Sequence, residues 1–334
     1  MRPNEVVIIA VMGVTGVGKS TFIKHATGQK VVIGHGQESC TSEVFGFQIP
    51  GTNVLLIDTP GFDDTFKADA TILDHIDQCL ADFYQSKQKI AGVIYIHPIT
   101  EPRMKGSAVK NLNMFRKVVG KDNMASCCLV TTKWSLQDME TSVSREDEIA
   151  TNPKFWKPLL DRGARMARFD DSQQSAIDII KPLVNERGFI PQITIETQIQ
   201  GKRLVETEAG QEVNVNLEEA VKSHKAEMSI LTAQHQQALI EKDEELAQMI
   251  EDEKRRLEAE LDSMRSEREV LKARMADRMR LRSAWRWCAR GTAALVAAVG
   301  TAVSGGTAAV PMAALYTTVE TLTQVDRALE QAPL

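Results

Sequence analysis

At 334 residues, with a formal net charge of -5, 25% charged and 5% aromatic residues, the chain is long enough for one substantial domain plus appendages, or for two small domains. Its charge balance gives no reason to expect a nucleic-acid partner. The five cysteines, Cys40, Cys79, Cys127, Cys128 and Cys288, lack metal-ligand spacing, which fits a reducing compartment.

The opening MRPNEVVIIAVMGVTG runs from a short apolar stretch into a glycine-rich loop, not into a small-residue cleavage site. No secretory signal is read there, and a cytoplasmic protein is expected. Residues 1–190 alternate short apolar runs with polar helical stretches, the pattern of an α/β domain whose mostly parallel sheet is covered on both faces. Strands are predicted at Val6 to Met12, Val54 to Ile57, Gly92 to Ile96 and Cys127 to Val130. Val44 to Ile49 precedes the second of these across Pro50, Gly51, Thr52 and Asn53, a turn-forming set that predicts one antiparallel strand at the sheet edge. Helices are predicted from Lys19, over Thr71 to Ser86 with Ile72, Ile76, Leu80 and Phe83 on one face, near Ala108 to Val119, and over Ser175 to Val184.

Gly13, Val14, Thr15, Gly16, Val17, Gly18, Lys19 and Ser20 fit the G-x-x-x-x-G-K-[ST] pattern, between an apolar strand and a helix-compatible run that starts with Thr21. The glycines let successive backbone N–H groups turn toward one oxyanion cluster, and the helix N-terminus adds partial positive charge. Lys19 is expected to reach the terminal phosphates, and Ser20 to give its hydroxyl to Mg2+. A glycine-rich turn without a ligand is the alternative that the flanking strand and helix disfavour. Asp58-Thr59-Pro60-Gly61 follows the strand Val54 to Ile57, where the acid suits Mg2+ and the Gly61 N–H suits a third phosphate, so that hydrolysis would release the segment beyond it. Between these elements Ser39, Thr41 and Ser42 offer hydroxyls for a first switch loop, and Thr41 is the preferred metal ligand and catalytic group.

The tail divides by composition. Residues 191–215 read as a helical linker. From Asn216 to Arg282 there is no proline or glycine, and Leu246, Ile250, Leu257, Leu261, Met264, Leu271 and Met275 recur at intervals of three, four or seven, interrupted by Glu253 and Arg268. A coiled coil over 216–282 that supports self-association is expected, against the alternative of a charged helix lying on the nucleotide domain. Residues 283–319 read as a possible membrane segment: beyond Arg290 there is no charged residue until Glu320, a run long enough to span a membrane, and Arg278, Arg280, Arg282, Arg286 and Arg290 with Trp285 and Trp287 between them form its basic flank. The other reading of that stretch is a hairpin of small residues packed within an oligomer. A short polar tail closes the chain at 320–334.

The motifs G-V-T-G-V-G-K-S-T, E-S-C-T-S-E-V, D-T-P-G-F-D-D, N-L-N-M-F-R-K and T-T-K-W, in this order, resemble the immunity-associated, septin- and Toc-like P-loop GTPases of the TRAFAC class, nearest to fungal relatives with a coiled-coil tail. The resemblance covers roughly residues 5–185. It implies a Ras-like fold extended by helices, GTP or GDP with Mg2+, a homo-oligomer formed through the nucleotide face, to which the expected coiled coil would add, and the place on a cytosolic membrane surface that proteins of this kind often take. It also assigns base recognition to Thr132, Lys133 and Ser135, with two departures from the usual N-K-x-D. Thr132 replaces the Asn, and Ser135 replaces the Asp whose carboxylate accepts from guanine; a serine hydroxyl is a weaker, neutral acceptor. Phe62 stands where a Ras-like enzyme orients water with Gln, so slow hydrolysis is expected, with Arg103 as a charge delivered across a dimer or else a solvated loop residue. His97 is read as a core histidine before a switch contact. A P-loop ATPase or kinase, and a nucleotide-bound scaffold with little turnover, are the other readings.

Overall fold

In a computed structural model of the chain, the described residues are 6–28, 45–61, 69–101, 106–273 and 310–311. The sheet forms from β1 (Val7–Met12), β2 (Phe45–Gln48), β3 (Val54–Asp58), β4 (Ile90–Pro98), β5 (Cys127–Thr132) and β6 (Arg165–Arg168). Its order is β6-β5-β4-β1-β3-β2, and Val310–Pro311 pairs antiparallel beyond β2. β2 is antiparallel to β3, and the other neighbours among these six strands are parallel. This is a Ras-like α/β domain, with the antiparallel edge strand where the turn chemistry of residues 50–53 places it.

β1, β3, β4 and β5 are buried along their whole length. Both faces are covered, which is why these strands read as unbroken apolar runs without alternation. On one face α1 (Lys19–Thr27) and α6 (Gln173–Val184) bring Phe22, Ile23, Ile179 and Leu183 onto Ile9, Leu56, Ile94 and Val130. On the other, α2 (Asp69–Gln85) and α3 (Gly106–Val119) pack Leu73, Ile76, Leu112 and Phe115 onto Ala10, Tyr95 and Leu129. β6 and α4 (Met139–Thr151) were not among the predicted elements. β6 carries arginines at both ends, so it lacks the apolar run by which the other strands show themselves.

The tail departs from a continuous helix. After α5 (Lys157–Leu160), α6, a short α7 (Gln192–Thr194) and two further helical turns, α8 (Glu208–Glu241) and α9 (Glu244–Lys272) pack on one another as a hairpin. The chain reverses without glycine or proline: Lys242 takes a left-handed φ of 61°, and Asp243 accepts from the Leu246 N–H at 3.0 Å to open α9. The expected single helix over 216–282 is therefore two helices within the described residues, and the first begins at Glu208. Of the predicted seam, Ile250, Leu257, Leu261, Met264 and Leu271 are buried in the chain's own packing, Leu246 is exposed, and Met275 lies outside the described residues. α9 packs against α2, which resembles the alternative of a helix lying on the nucleotide domain more than a free coil.

Candidate nucleotide site

β1 ends at Met12, and the loop from Gly13 to Gly18 leads into α1. Gly13, Gly16 and Gly18 all take positive φ, at 145°, 77° and 108°. Gly13 has a second requirement, because a Cβ there would lie 2.5 Å from the Ile96 carbonyl oxygen of β4. Only glycine meets both conditions. The N-terminus of α1 has no side-chain cap and no acid in its first turn, which leaves its N–H groups and dipole available to an anion. Lys19 is buried and lies along the loop, its Nζ donating to the Gly13 and Val14 carbonyls at 2.9 and 3.0 Å. The arrangement is a ring of backbone closed by one ammonium, the charge pattern of a phosphate cradle.

The metal candidates converge from two elements. Ser20 Oγ, in the first turn of α1, donates to Asp58 Oδ2 at the end of β3 at 3.0 Å. Asp58 is buried, and its second oxygen, Oδ1, has no hydrogen-bond partner. Burial pushes its carboxyl above the usual carboxylate value, with the charge of Lys19 and the Ser20 hydroxyl acting against that push. A buried carboxylate oxygen without a partner beside a hydroxyl is a hard-oxygen site that fits Mg2+. Gly61 lies against the phosphate loop: a Cβ on it would approach Thr15 N at 2.5 Å and Thr15 Oγ1 at 2.7 Å. Asp58 and Gly61 are held there by Thr59, whose Oγ1 donates to the Val11 carbonyl at 2.9 Å.

β5 delivers the base loop. Thr132 is buried and donates from Oγ1 to the Val17 carbonyl at 2.7 Å, so the residue in the usual Asn position ties the base loop to the phosphate loop. Lys133 follows in a left-handed turn with φ 63°, and Ser135 is exposed. A cluster that the sequence reading passed over supports this turn. Trp134 donates from Nε1 to Thr131 Oγ1 at 3.0 Å, and the Arg168 guanidinium from the end of β6 lies over its ring at 4.3 Å from the centroid. Glu146 of α4 is buried, pairs with Arg168 through both carboxylate oxygens, and comes within 3.3 Å of Thr131 Oγ1. These residues come from three elements, two of them unpredicted, and no local spacing links them.

Phosphate-loop residues, Asp58, Gly61, Thr132, Lys133 and Ser135 thus share one edge of the sheet. Thr21 takes its place in the first turn of α1. Thr41 and Arg103, together with Ser39, Ser42 and Phe62, lie outside the described residues. His97, on β4, is a core residue: it is 2% exposed, its ring meets Trp156 edge-on at 6.2 Å, and burial lowers its pKa to about 4. Cys127 and Cys128 are buried strand residues whose thiols burial pushes up.

Residues 8–131, from β1 through β5, match the family model described as 50S ribosome-binding GTPase. Similar solved structures include Toc33 from Arabidopsis thaliana in complex with Mg2+ and GMPPNP, at 17% identity and TM-score 0.43, covering 55% of this chain and 87% of that one. Era from Aquifex aeolicus bound to GDP and AlF4- is 20% identical with TM-score 0.38, covering 55% of this chain and 57% of that chain. NFeoB from S. thermophilus bound to GDP and AlF4- is 11% identical with TM-score 0.36, covering 80% and 98%. Likenesses this slight carry no argument about ligand or partner. Strand order, phosphate loop and the Ser20–Asp58 pair define a Ras-like P-loop domain, of which residues 8–131 are similar to that GTPase family.

Proposed function

We propose that this protein is a guanine-nucleotide switch that hydrolyses GTP slowly and changes its self-association with nucleotide state. The observation that carries the proposal is the convergence of Lys19, Ser20 and Asp58, with an unpartnered Asp58 oxygen, at the mouth of a glycine-rich loop that leads into a helix without a side-chain cap or an acid in its first turn. Lys19 would exchange its loop carbonyls for phosphate oxygens. Ser20 and Asp58 would hold Mg2+, which when bound neutralises charge between the last two phosphates. Gly61, already against the loop, would offer its N–H to the third phosphate and so report its presence. Phe62 in the water-orienting position supports slow intrinsic turnover, and Arg103 supplied by a second copy is the proposed source of faster turnover.

Base selectivity is the point at which the proposal is most exposed, because Ser135 gives guanine no carboxylate. Titration of the full chain with fluorescent GTP, GDP and ATP analogues and Mg2+, with light scattering at several concentrations, tests it. Guanine preference, with larger species in one nucleotide state, is expected. Equal or tighter ATP binding would replace the guanine reading with an ATPase. Attachment to a cytosolic membrane surface through 283–319 belongs to the same proposal; that stretch lies outside the described residues, among which no helix is long and apolar enough to cross a membrane. Flotation of the full chain with liposomes is its test, and a protein that stays at the bottom of the gradient is evidence against attachment.

A further inference from the structure

The base loop stands at the exit of β5, and a second concave site lies at its entrance. The end of α3, the helical turn Lys121–Ser126 that leads into β5, α5, α7 and the start of α8 bound a cavity of about 530 Å3 there, a volume in the range of small-molecule sites. Close contacts join its walls. Lys117 of α3 pairs with Glu212 of α8 at 2.5 Å. Gly120, at φ 91°, lets the end of α3 pass so near α7 that a Cβ on it would lie 2.8 Å from the Gln192 Cβ. The concavity is thus part of the packing and not a gap between loose surfaces.

The lining carries positive charge that the chain does not neutralise. Arg116, Lys121 and Arg162 line the cavity with no hydrogen-bond or ion-pair partner among the described residues. Other arginines of the domain do find acids: Arg165 meets Glu186 and Arg203 meets Glu206, each at 2.7 Å, and Arg168 meets Glu146. Service to the α3 dipole accounts for Arg116, which lies in the last turn of that helix, but not for Lys121, which opens a helical turn where a cation is disfavoured. A guanidinium is a planar fork that fits two oxygens of one phosphate or carboxylate. Two forks and an ammonium in one concavity therefore suit an anion. Asp122 and Glu208 also line it, both exposed, and they would repel a bare polyanion. With Asn113 and Gln192 they offer hydrogen bonds to hydroxyl groups instead. Apart from Met124, Pro158 and Leu159 the side chains of the lining are polar, so an aromatic ring finds little to stack on.

We propose that this cavity binds a small hydroxylated molecule that carries phosphate, a phosphorylated polyol in chemical class, with Arg116, Lys121 and Arg162 on the phosphate and Asn113, Gln192 and the two acids on the hydroxyls. The site is separate from the phosphate loop and does not rest on the guanine-nucleotide reading. A soluble polyol phosphate and the headgroup of a phosphoinositide offer the same chemistry.

Calorimetric titration of the full chain with inositol trisphosphate and with fructose bisphosphate tests it, with inorganic phosphate and myo-inositol as the separate halves of the ligand. Saturable binding of at least one ester is expected, with each half weaker by roughly 10-fold or more. Phosphate also suits the loop at Lys19, so the titrations are repeated in variants. Arg162→Ala removes an exposed side chain that supports nothing in the fold and should weaken the ester about 10-fold, the equivalent of one charge-assisted contact. Arg162→Lys should recover only part of this, since it returns the charge without the fork. Lys19→Ala and Lys154→Ala, the latter an exposed lysine outside the cavity, should leave the affinity unchanged. Loss in Lys19→Ala with full affinity in Arg162→Ala would place the anion in the phosphate loop and overturn the proposal. Equal weakening by Arg162→Ala and Lys154→Ala would reduce the binding to diffuse surface charge, and no heat with either ester would leave the cavity without this ligand. Flotation with phosphatidylcholine vesicles, with and without phosphatidylinositol bisphosphate, separates the two sources. Vesicle binding that inositol trisphosphate competes away identifies the headgroup, calorimetric binding without flotation identifies a soluble ester, and flotation unaffected by the trisphosphate and by Arg162→Ala counts against the cavity.

Discussion

Asp58 carries opposing demands. Burial disfavours its charge, yet a divalent cation needs that charge. A carboxyl whose folded pKa is raised contributes stability that is fully present below its unfolded value and lost as pH rises through the folded one. Without ligand, Asp58→Asn should therefore melt higher than the parent at neutral pH, while its Mg2+-dependent nucleotide affinity falls at least about 10-fold, the equivalent of one lost charge-assisted contact. Melting curves and titrations with and without EDTA check the two halves; a variant that melts lower would show that the buried charge is not a cost. His97 has the reverse sign. Its folded pKa is depressed to about 4 by burial, so its contribution is present above the ordinary value of 6.5 and is lost as pH falls from there toward 4. The loss amounts to about 3 kcal/mol for a shift of this size. The urea midpoint of His97→Phe should be flatter over that window than that of the parent; an unchanged pH dependence would mean that the ring is reached by solvent. At this scale the phosphate loop was legible because its glycines serve backbone geometry, which is local. The Trp134, Arg168 and Glu146 support was not, since each residue is ordinary in its own segment and acquires a role only where β5, β6 and α4 meet.

Elements showed themselves in proportion to how evenly they are buried. β1, β3, β4 and β5 are dry on both faces and read as apolar runs, whereas β6, with a half-exposed pattern over four residues, left no such mark. The reversal between α8 and α9 has a different lesson. No glycine or proline marks it, but Asp243 followed by Glu244, Glu245 and Leu246 is a helix-start signature, with a capping acid and negative charge in the first turn. Absence of breakers reads as continuity, although a cap can end one helix and begin another without them. Asp243→Ala should lower stability by about 1 kcal/mol through loss of the cap. Lys242→Gly should raise it by up to about 1 kcal/mol, since glycine takes the left-handed φ of 61° without the penalty that lysine carries. Equilibrium urea unfolding of each variant measures both. If Lys242→Gly destabilises, the turn is not held in that conformation in solution.

For the whole molecule, the question is where the apolar surface of the tail goes. A coiled-coil tail that joins copies would keep its seam for a partner. Here Leu257, Leu261, Met264 and Leu271 are instead buried within one chain. Self-association, if nucleotide-dependent as proposed, should then run through the nucleotide face, and the seam should act on stability. Leu257→Asp makes the distinction. Placing a charge at a buried seam position costs several kcal/mol, so the variant should unfold at lower urea while any nucleotide-dependent change in molar mass by light scattering survives below the unfolding transition. A variant that keeps its stability and loses the larger species would place the seam between copies and reverse the assignment. The first outcome would also give the hairpin its purpose within one chain, as apolar packing that α8 and α9 supply to α2.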